Sequence, residues 1–155
     1  MTPNEKAFLD ALAVSEIGPA LLKVSDNGYN VIVGSTATHP DLFTSYAQHP
    51  RKMVRLGEDL QSTAAGRYQL LSRYYSVYCI QLGIKDFSPA SQDRIALQQI
   101  SECHAIDDIN AGRFETAVIK CNHIWASLPG SPYGQHTNSM ETLKNAYVNA
   151  GGSLS

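Results

Sequence analysis

The stretch Leu12-Ala13-Val14-Ser15-Glu16-Ile17-Gly18 closes the first predicted helix and places one carboxyl group at its end. Glu16 continues by one more turn the apolar line formed by Phe8 and Leu12, because residues four apart lie on the same face of a helix. We therefore expect the glutamate on the core side of the helix. Gly18, followed by a proline, predicts that the helix stops just beyond it.

A carboxyl group at this position is a candidate general acid. Partial burial disfavours the ionised form of Glu16 and raises its pKa, and the negative end of the helix dipole acts in the same direction. A carboxyl that keeps its proton near neutral pH can protonate a leaving group. The alternative is that Glu16 is an ordinary polar residue at a helix end, and spacing alone leaves both interpretations open.

The rest of the chain predicts a mainly helical α+β domain with a small sheet beside the helical body. The first helix starts at Thr2-Pro3-Asn4-Glu5, which has the pattern of a capping box with proline at the first helical position. Helical spacing and turn residues predict the further helices 62–82, from Ser88 to Cys103, 106–110, 114–125 and from Asn138 to Gly151. β-Branched and aromatic runs predict two short strands, 29–34 and 42–46.

Length and composition limit the classes of protein that fit. The chain has 155 residues, 43% hydrophobic and 17% charged, which suits one soluble globular domain over residues 1–155. A net charge of −2 gives no argument for nucleic-acid binding. The N-terminus lacks the apolar run of a signal peptide, and no stretch approaches the length of a membrane span. We expect a protein made in the cytoplasm, without stable membrane insertion.

Most catalytic constellations do not fit the sequence. His104, His123 and His136 match no metal-binding motif, so no metal or other cofactor is expected. The three cysteines, Cys79, Cys103 and Cys121, have no zinc spacing and fit buried thiols, and their redox state is left open. There is no Gly-x-Ser-x-Gly elbow and no phosphate-binding loop. The carboxylates and a chain rich in tyrosine and glycine then point to glycoside chemistry.

The chain resembles the phage lambda endolysin family, the lambda-type lysozymes, through short blocks of sequence. The blocks occur in the same order and span nearly the whole chain. The two most specific blocks are Gly-Arg-Tyr-Gln at 66–69 and Trp-Ala-Ser-Leu-Pro-Gly at 125–130. The other blocks lie at 6–10, 15–16, 28–34, 49–52, 62–73, 85–89, 96–100 and 133–135. The chain departs from the family pattern at Val14, at Asn30 and at the pair Tyr74-Tyr75.

The resemblance implies a lysozyme-like fold with a cleft between two lobes. It implies cleavage of the β-1,4 bond between N-acetylmuramic acid and N-acetylglucosamine in bacterial peptidoglycan. The family acts as a lytic transglycosylase that leaves a 1,6-anhydro sugar end, and its catalytic glutamate falls on Glu16. The substrate-binding residues that the resemblance implies are Ser62, Thr63, Gly66, Tyr68, Gln69 and Tyr133.

The resemblance also implies the partners and the place of action. The partner is a peptidoglycan glycan strand, with no nucleic acid, and a monomer is expected. The protein reaches the peptidoglycan layer after the membrane has been permeabilised, so release by a holin is implied by the family.

Two other functions remain open at this point. A true hydrolase would use a second acid, such as Asp26, to position water or stabilise the cation. A non-catalytic wall-binding protein would keep the shape without turnover. The basic cluster Arg51, Lys52 and Arg55 fits a solvated surface, with weak steering of an anionic wall polymer as the alternative.

Overall fold

A computed structural model describes residues 1–134 and 136–155 of the chain. Over these residues the architecture is mainly helical with a small antiparallel sheet, which confirms the predicted fold class. The helices are α1 (Pro3–Glu16), α2 (Pro19–Val24), α3 (Ser72–Leu82), α4 (Pro89–Glu102), α5 (Ile106–Asn110), α6 (Phe114–Cys121) and α7 (Met140–Asn149). No helix of the described residues is long and apolar enough to cross a membrane.

The sheet consists of two short strands, β1 (Val54–Arg55) and β2 (Gln61–Ser62). They pair antiparallel, with Val54 opposite Ser62 and Arg55 opposite Gln61. The chain folds into two compact units. The first contains Met1–Glu16 and Ala96–Ser155, and the second contains Ile17–Ile95. Glu16 is therefore the last residue of the first unit before the chain enters the second.

The core of the first unit is built around α1, which packs against α5 and α7. Its start is the predicted capping box: the backbone N–H of Glu5 donates to Thr2 Oγ1 at 3.1 Å. Phe8 of α1 meets the ring of Phe114 with centroids 5.7 Å apart, and Phe114 in turn lies 4.7 Å from Tyr147. Such ring pairs bury large apolar areas, so the packing of this core fixes the position of α1, which ends at Glu16.

The core of the second unit surrounds Phe87, which is fully buried. Its ring contacts Tyr75, with centroids 5.2 Å apart, and His49, at 4.9 Å. The other buried members of this cluster are Ile32, Ala65, Leu70, Tyr78, Ile84 and Ile95.

The two predicted strands, 29–34 and 42–46, are wrong as strands. Only single bridges form: Val31 with Leu42, and Ile32 with Ala65. The backbone turns on both sides of these bridges, since Tyr29 N donates to Asp26 O and Ser35 N donates to Ile32 O. Val31 and Ile32 are buried as their β-branched side chains suggest, but adjacent residues pair with different partners, so no ladder extends.

The helix predicted to open at Ser62 begins ten residues later, at Ser72, while its end at Gly83 is confirmed. Residues 62–71 instead form the end of β2, a bridge between Ala65 and Leu70, and a turn between them. Gly66 has φ +84° and Gln69 has φ +52°, and a right-handed helix cannot contain these values. The side chain of Thr63 instead accepts the backbone N–H of Ser72 at the start of α3.

The remaining helices differ from the prediction at their ends. No helix was predicted between residues 19 and 24, but Pro19 at the first helical position starts the short helix α2. Helix α6 ends at Cys121, so Trp125 lies in the turns that follow it. The cap of α7 is Ser139, whose side chain accepts from Thr142 N, and Asn138 is left outside the helix.

The three cysteines are free thiols in the structure, and Cys121 is fully buried. A hydrogen bond between the Cys103 and Cys121 thiols lowers the pKa of Cys103 and raises that of Cys121. The two thiols thus lie close together in the first unit, which spacing alone could not establish.

Candidate functional site

Glu16 is half-buried at the C-terminal end of α1, on the side that the helical spacing predicts. Its carboxyl oxygen Oε2 accepts the hydroxyl of Ser127 at 2.8 Å. Ser127 belongs to the turns that follow α6, far along the sequence but in the same compact unit. A carboxyl group that is partly buried and held by one hydroxyl donor has the form that a general acid needs.

A chain of hydrogen bonds continues behind Ser127. Its Oγ lies 2.7 Å from the Oγ of Ser15, which is buried in the last turn of α1. The side-chain amide of Asn138 donates to the Oγ of Ser15 at 3.2 Å. The backbone N–H of Asn138 also donates to the carbonyl oxygen of Ser127 at 2.9 Å. These bonds fix the segment that presents Ser127 against the end of α1.

The pKa of Glu16 is raised from the ordinary 4.5 to about 7. Burial is the larger cause, because it penalises the charged form, while the hydrogen bond from Ser127 lowers the pKa by a smaller amount. The carboxyl group is thus protonated in a large fraction of molecules near neutral pH. It can give up a proton and take one back at the same pH.

The replacement Ser127→Ala is expected to raise the pKa of Glu16 further, because it removes the bond that stabilises the carboxylate. If Glu16 serves as a general acid in catalysis, the alkaline limb of the pH profile for kcat/KM should move upward with its pKa. A titration of the glutamate side-chain carbons by carbon-13 NMR would measure the shift. Ser131→Ala, in the same loop but hydrogen-bonded to Tyr133 N, is the control. A pKa that stays the same or falls in Ser127→Ala would contradict this account.

Of the residues predicted to bind substrate, Ser62 and Thr63 lie at the end of β2 and just beyond it. Both are half-buried. The Oγ of Ser62 accepts Ala64 N at 3.1 Å, and Oγ1 of Thr63 accepts Ser72 N at 3.0 Å. Each hydroxyl thus accepts a backbone bond and keeps its own proton as a donor for a ligand.

Gly66 and Tyr68 are buried, and their partners lie inside the protein. A side chain at Gly66 would overlap Gln92 Oε1 and would meet Phe87 Cζ at 2.9 Å. Tyr68 is 4% exposed, and its hydroxyl donates to Asp93 Oδ1 at 2.5 Å. The close backbone approach that the glycine permits is therefore made by the protein's own core, and both residues hold the 62–71 segment in place.

The polar side-chain groups of Gln69 and Tyr133 donate hydrogen bonds to backbone carbonyl oxygens. The amide of Gln69 donates to Gly66 O at 2.8 Å and lies 3.4 Å from Val31 O. The hydroxyl of Tyr133 donates to His123 O at 2.6 Å, while the residue is 55% exposed. Tyr133 thus offers an anchored aromatic ring in the first unit, the unit that also contains Glu16. Gln135, the last residue of the 133–135 block, lies outside the described residues.

Asp26, the candidate second acid, is exposed in the turn after α2. Its Oδ2 accepts the hydroxyl of Tyr46 at 2.6 Å, and its backbone N–H donates to Asn30 Oδ1 at 2.9 Å. These bonds tie the turn 26–30 to the segment that contains Tyr46. They give Asp26 a structural role that needs no catalytic function.

The predicted basic cluster, Arg51, Lys52 and Arg55, has one cation in an ion pair and a buried histidine close by in the sequence. His49 is 1% exposed, with its Nε2 donating to Leu70 O at 2.7 Å and its Nδ1 accepting Arg51 N at 2.9 Å. Burial lowers the pKa of His49, so it is a neutral core residue. Lys52 forms an ion pair with Asp41 at 2.8 Å. Steering of an anionic polymer by this cluster stays a prediction.

Sequence reasoning missed Ser127, Ser15 and Asn138 as parts of the site. Ser127 was not among the predicted site residues, and Asn138 was interpreted as a helix start. Ser15 is adjacent to Glu16 in the sequence, and this adjacency was a weak indication that it belongs to the site. The other two residues are more than 100 positions away from it, and only the fold brings them together.

The chain is similar to known proteins along nearly its whole length. The family model described as Endolysin matches residues 6–154. The endolysin of Escherichia phage lambda is 50% identical over 152 residues, covering 97% of this chain and 93% of the relative. The endolysin of Escherichia phage P2 is 48% identical over 157 residues, covering 96% and 93%.

Two solved structures are similar over 100% of this chain and 98% of theirs. Bacteriophage lambda lysozyme complexed with a chitohexasaccharide has a TM-score of 0.93 at 48% identity. A second structure, lysozyme from bacteriophage lambda, has a TM-score of 0.89 at 47% identity. A family match over nearly the whole sequence, relatives at about half identity and a shared fold agree with one another, and the chain belongs to the endolysin family.

Proposed function

We propose that the chain cleaves the β-1,4 bond between N-acetylmuramic acid and N-acetylglucosamine in peptidoglycan, as a lytic transglycosylase that leaves a 1,6-anhydro end. The observation that carries the proposal is Glu16, half-buried, with a pKa near 7 and one hydroxyl donor on Oε2. A glycan ligand is supported by the similar lambda lysozyme, which was solved in complex with a chitohexasaccharide.

In the proposed mechanism one carboxyl group acts twice. Protonated Glu16 donates its proton to the glycosidic oxygen, and the bond from that oxygen to the anomeric carbon of the muramic acid breaks. The 6-hydroxyl oxygen of the same sugar then bonds to the anomeric carbon, and its proton passes to the Glu16 carboxylate. Intramolecular attack benefits from proximity, and no water is consumed. A pKa near 7 suits both steps at one pH.

Sugar contacts are proposed for the predicted residues whose side chains are not buried. Ser62 and Thr63 have hydroxyl protons that can donate to hydroxyl or acetamido oxygens. The ring of Tyr133 is exposed and anchored, which suits stacking on a sugar face. Gln69 is half-buried and its side-chain nitrogen donates to Gly66 O, so we propose its side-chain oxygen as an acceptor for the substrate. For Gly66 and Tyr68 we propose an indirect part, through the conformation of the segment.

The experiment that tests the proposed function is mass spectrometry of the products released from purified sacculi by the wild-type protein. We expect 1,6-anhydro ends, because the substrate's own hydroxyl is the nucleophile. Reducing ends would contradict the transglycosylase and would favour a hydrolase, with Asp26→Asn as the next variant to test. No release by the folded protein would favour a non-catalytic wall-binding protein.

A further inference from the structure

We propose that Asn138 and Ser15 are positioning residues that give the hydrogen bonds behind Glu16 a single direction, so that its transferable proton is held on Oε1. The proposal rests on the proposed role of Glu16 as the acid. Whatever the product, one of the two carboxyl oxygens of Glu16 carries the proton, and its hydrogen-bonded neighbours decide which.

The direction begins at the side-chain amide of Asn138. Its Nδ2 lies 3.2 Å from the carbonyl oxygen of Ser15 and 3.5 Å from that of Ser127. Carbonyl oxygens only accept hydrogen bonds, so the NH₂ end of the amide must face them. With the amide turned the other way, its oxygen would face two further oxygens without a proton between them. The backbone therefore fixes Asn138 as a donor.

The same NH₂ group lies 3.2 Å from Ser15 Oγ, so this oxygen accepts. Among residues 1–134 and 136–155, the acceptor within reach of the Ser15 hydroxyl proton is Ser127 Oγ, at 2.7 Å. Ser127 accepts that proton and points its own at Glu16 Oε2, at 2.8 Å. Each hydroxyl has one proton, so the direction set at Asn138 passes unchanged to the carboxyl group.

The consequence for Glu16 is a choice between its oxygens. A proton on Oε2 would face the proton of Ser127, whereas a proton on Oε1 leaves Oε2 as an acceptor. The acid form is therefore protonated on Oε1, and after transfer the bond from Ser127 stabilises the carboxylate. Oε1 is then the oxygen that gives the proton and takes it back, as both proposed steps require. A preorganised network of this kind costs no reorientation during the reaction.

The test reverses the direction at its origin with Asn138→Asp, which keeps the size of the side chain but replaces the donor by an acceptor. The carboxylate cannot bond to the carbonyl oxygens of Ser15 and Ser127, so it turns from them and accepts the Ser15 hydroxyl. Ser127 then donates to Ser15, and Oε2 of Glu16 must hold the proton. We expect kcat on peptidoglycan to fall about tenfold, a part of the roughly 10²–10⁴-fold that a positioned acid contributes. KM should stay within about twofold, since no sugar contact changes.

The matched control is Asn122→Asp. The side-chain amide of Asn122 also donates to a backbone carbonyl of the same loop, that of Pro129 at 3.1 Å, but within the described part of the chain it makes no bond to Ser15, Ser127 or Glu16. Both variants make the same chemical change beside a backbone oxygen. The control should keep kcat within about twofold of the wild type, while a loss of general stability would lower both variants alike.

A second readout detects the proton directly. Isotope-edited infrared spectra of protonated Glu16, with the band assigned through Glu16→Gln, report the carbonyl stretch. This band lies lower when the carbonyl oxygen accepts a hydrogen bond. We expect it to move to higher wavenumber in Asn138→Asp and to stay in place in Asn122→Asp. If Asn138→Asp does not fold, Ser15→Ala removes the bond that orients the Ser127 hydroxyl, so the proton can occupy either oxygen of Glu16, and a smaller shift to higher wavenumber is expected.

Two results would overturn the proposal. One is a kcat for Asn138→Asp and Ser15→Ala equal to that of the control, and the other is a carbonyl band that does not move. If Glu16→Gln is inactive in the same assay, such results reject the positioning role and leave the proposed function intact. Full activity of Glu16→Gln would instead remove Glu16 as the acid, and the positioning role with it.

Discussion

Glu16→Gln is expected to lose peptidoglycan cleavage by at least about 10²–10⁴-fold in kcat, the usual contribution of a positioned acid. Glutamine matches the size of glutamate and can still accept the Ser127 hydroxyl, so the fold and the hydrogen bond should persist. The glutamine side chain, however, has no acidic proton to transfer. Sugar affinity should change little, since the role proposed for the removed group is proton transfer to the glycosidic oxygen. Turnover of sacculi and binding to them, measured on the same preparation, would separate these two effects.

The same substitution should stabilise the fold above about pH 7. Glu16 has its pKa raised from 4.5 to about 7, so between these values the unfolded chain releases a proton that the native state keeps. Stability therefore falls as pH rises through this window, and the loss reaches up to about 3 kcal/mol. Glutamine does not titrate, so the variant does not undergo this loss of stability. The gain should vanish below pH 4.5, where glutamate is protonated in both states.

Glu141→Gln is the control for the loss of cleavage. Glu141 is exposed in the first turn of α7, in the same unit as Glu16. Cleavage should not change measurably in this variant. A Glu16→Gln protein that gains no stability at high pH, measured by urea unfolding across pH, would show that the pKa of Glu16 is close to its ordinary value.

Gly66→Ala is expected to destabilise the second unit by about 3 kcal/mol, as a sum of backbone strain and overpacking. The residue has φ +84°, and the added methyl group would overlap Gln92 Oε1. Gln92 cannot move aside freely. Its Oε1 accepts Arg67 N, and its Nε2 donates to the carbonyls of Tyr29 and Phe87. Breaking these buried bonds adds a cost of its own.

Gly83→Ala is the matched control, because Gly83 also has a positive φ, +67°, but nothing lies within 4 Å of the added carbon in the described part of the chain. It should show the backbone strain alone, about 1 kcal/mol. For a chain of this length the difference corresponds to several degrees in Tm, which thermal unfolding would resolve. Equal losses in the two variants would show that Gln92 and Phe87 adapt to the methyl group without cost.

The contrast between these two glycines also shows how far a local sequence pattern reaches. The helix predicted to end at residue 82 does end there, and the left-handed backbone of Gly83 closes α3. Gly66 was expected among the substrate-binding residues. Its close neighbours in the structure are Gln92 and Phe87 of the same unit, and no local pattern identifies them. A helix end is a local event, whereas a packing partner is not.

By itself, the sequence determined the helical body of the protein. The capping box at the start of α1, the bounds of α5 and the end of α3 followed from local hydrogen bonds, helical spacing and turn residues. It also placed Glu16 at a helix end on the apolar side, and partial burial of that position gave the correct direction of its pKa. These features depend on residues within a few turns of one another.

The tertiary structure alone decided the rest. The run 29–34 has the composition of a strand, yet it forms single bridges because the partners available to Val31 and Ile32 differ. Residues 62–71 have no helix because Gly66 and Gln69 adopt positive φ values within a packed turn. Ser127 and Asn138 reach the end of α1 only through folding, since a hydrogen bond depends on distance in space and leaves no periodic trace in the sequence.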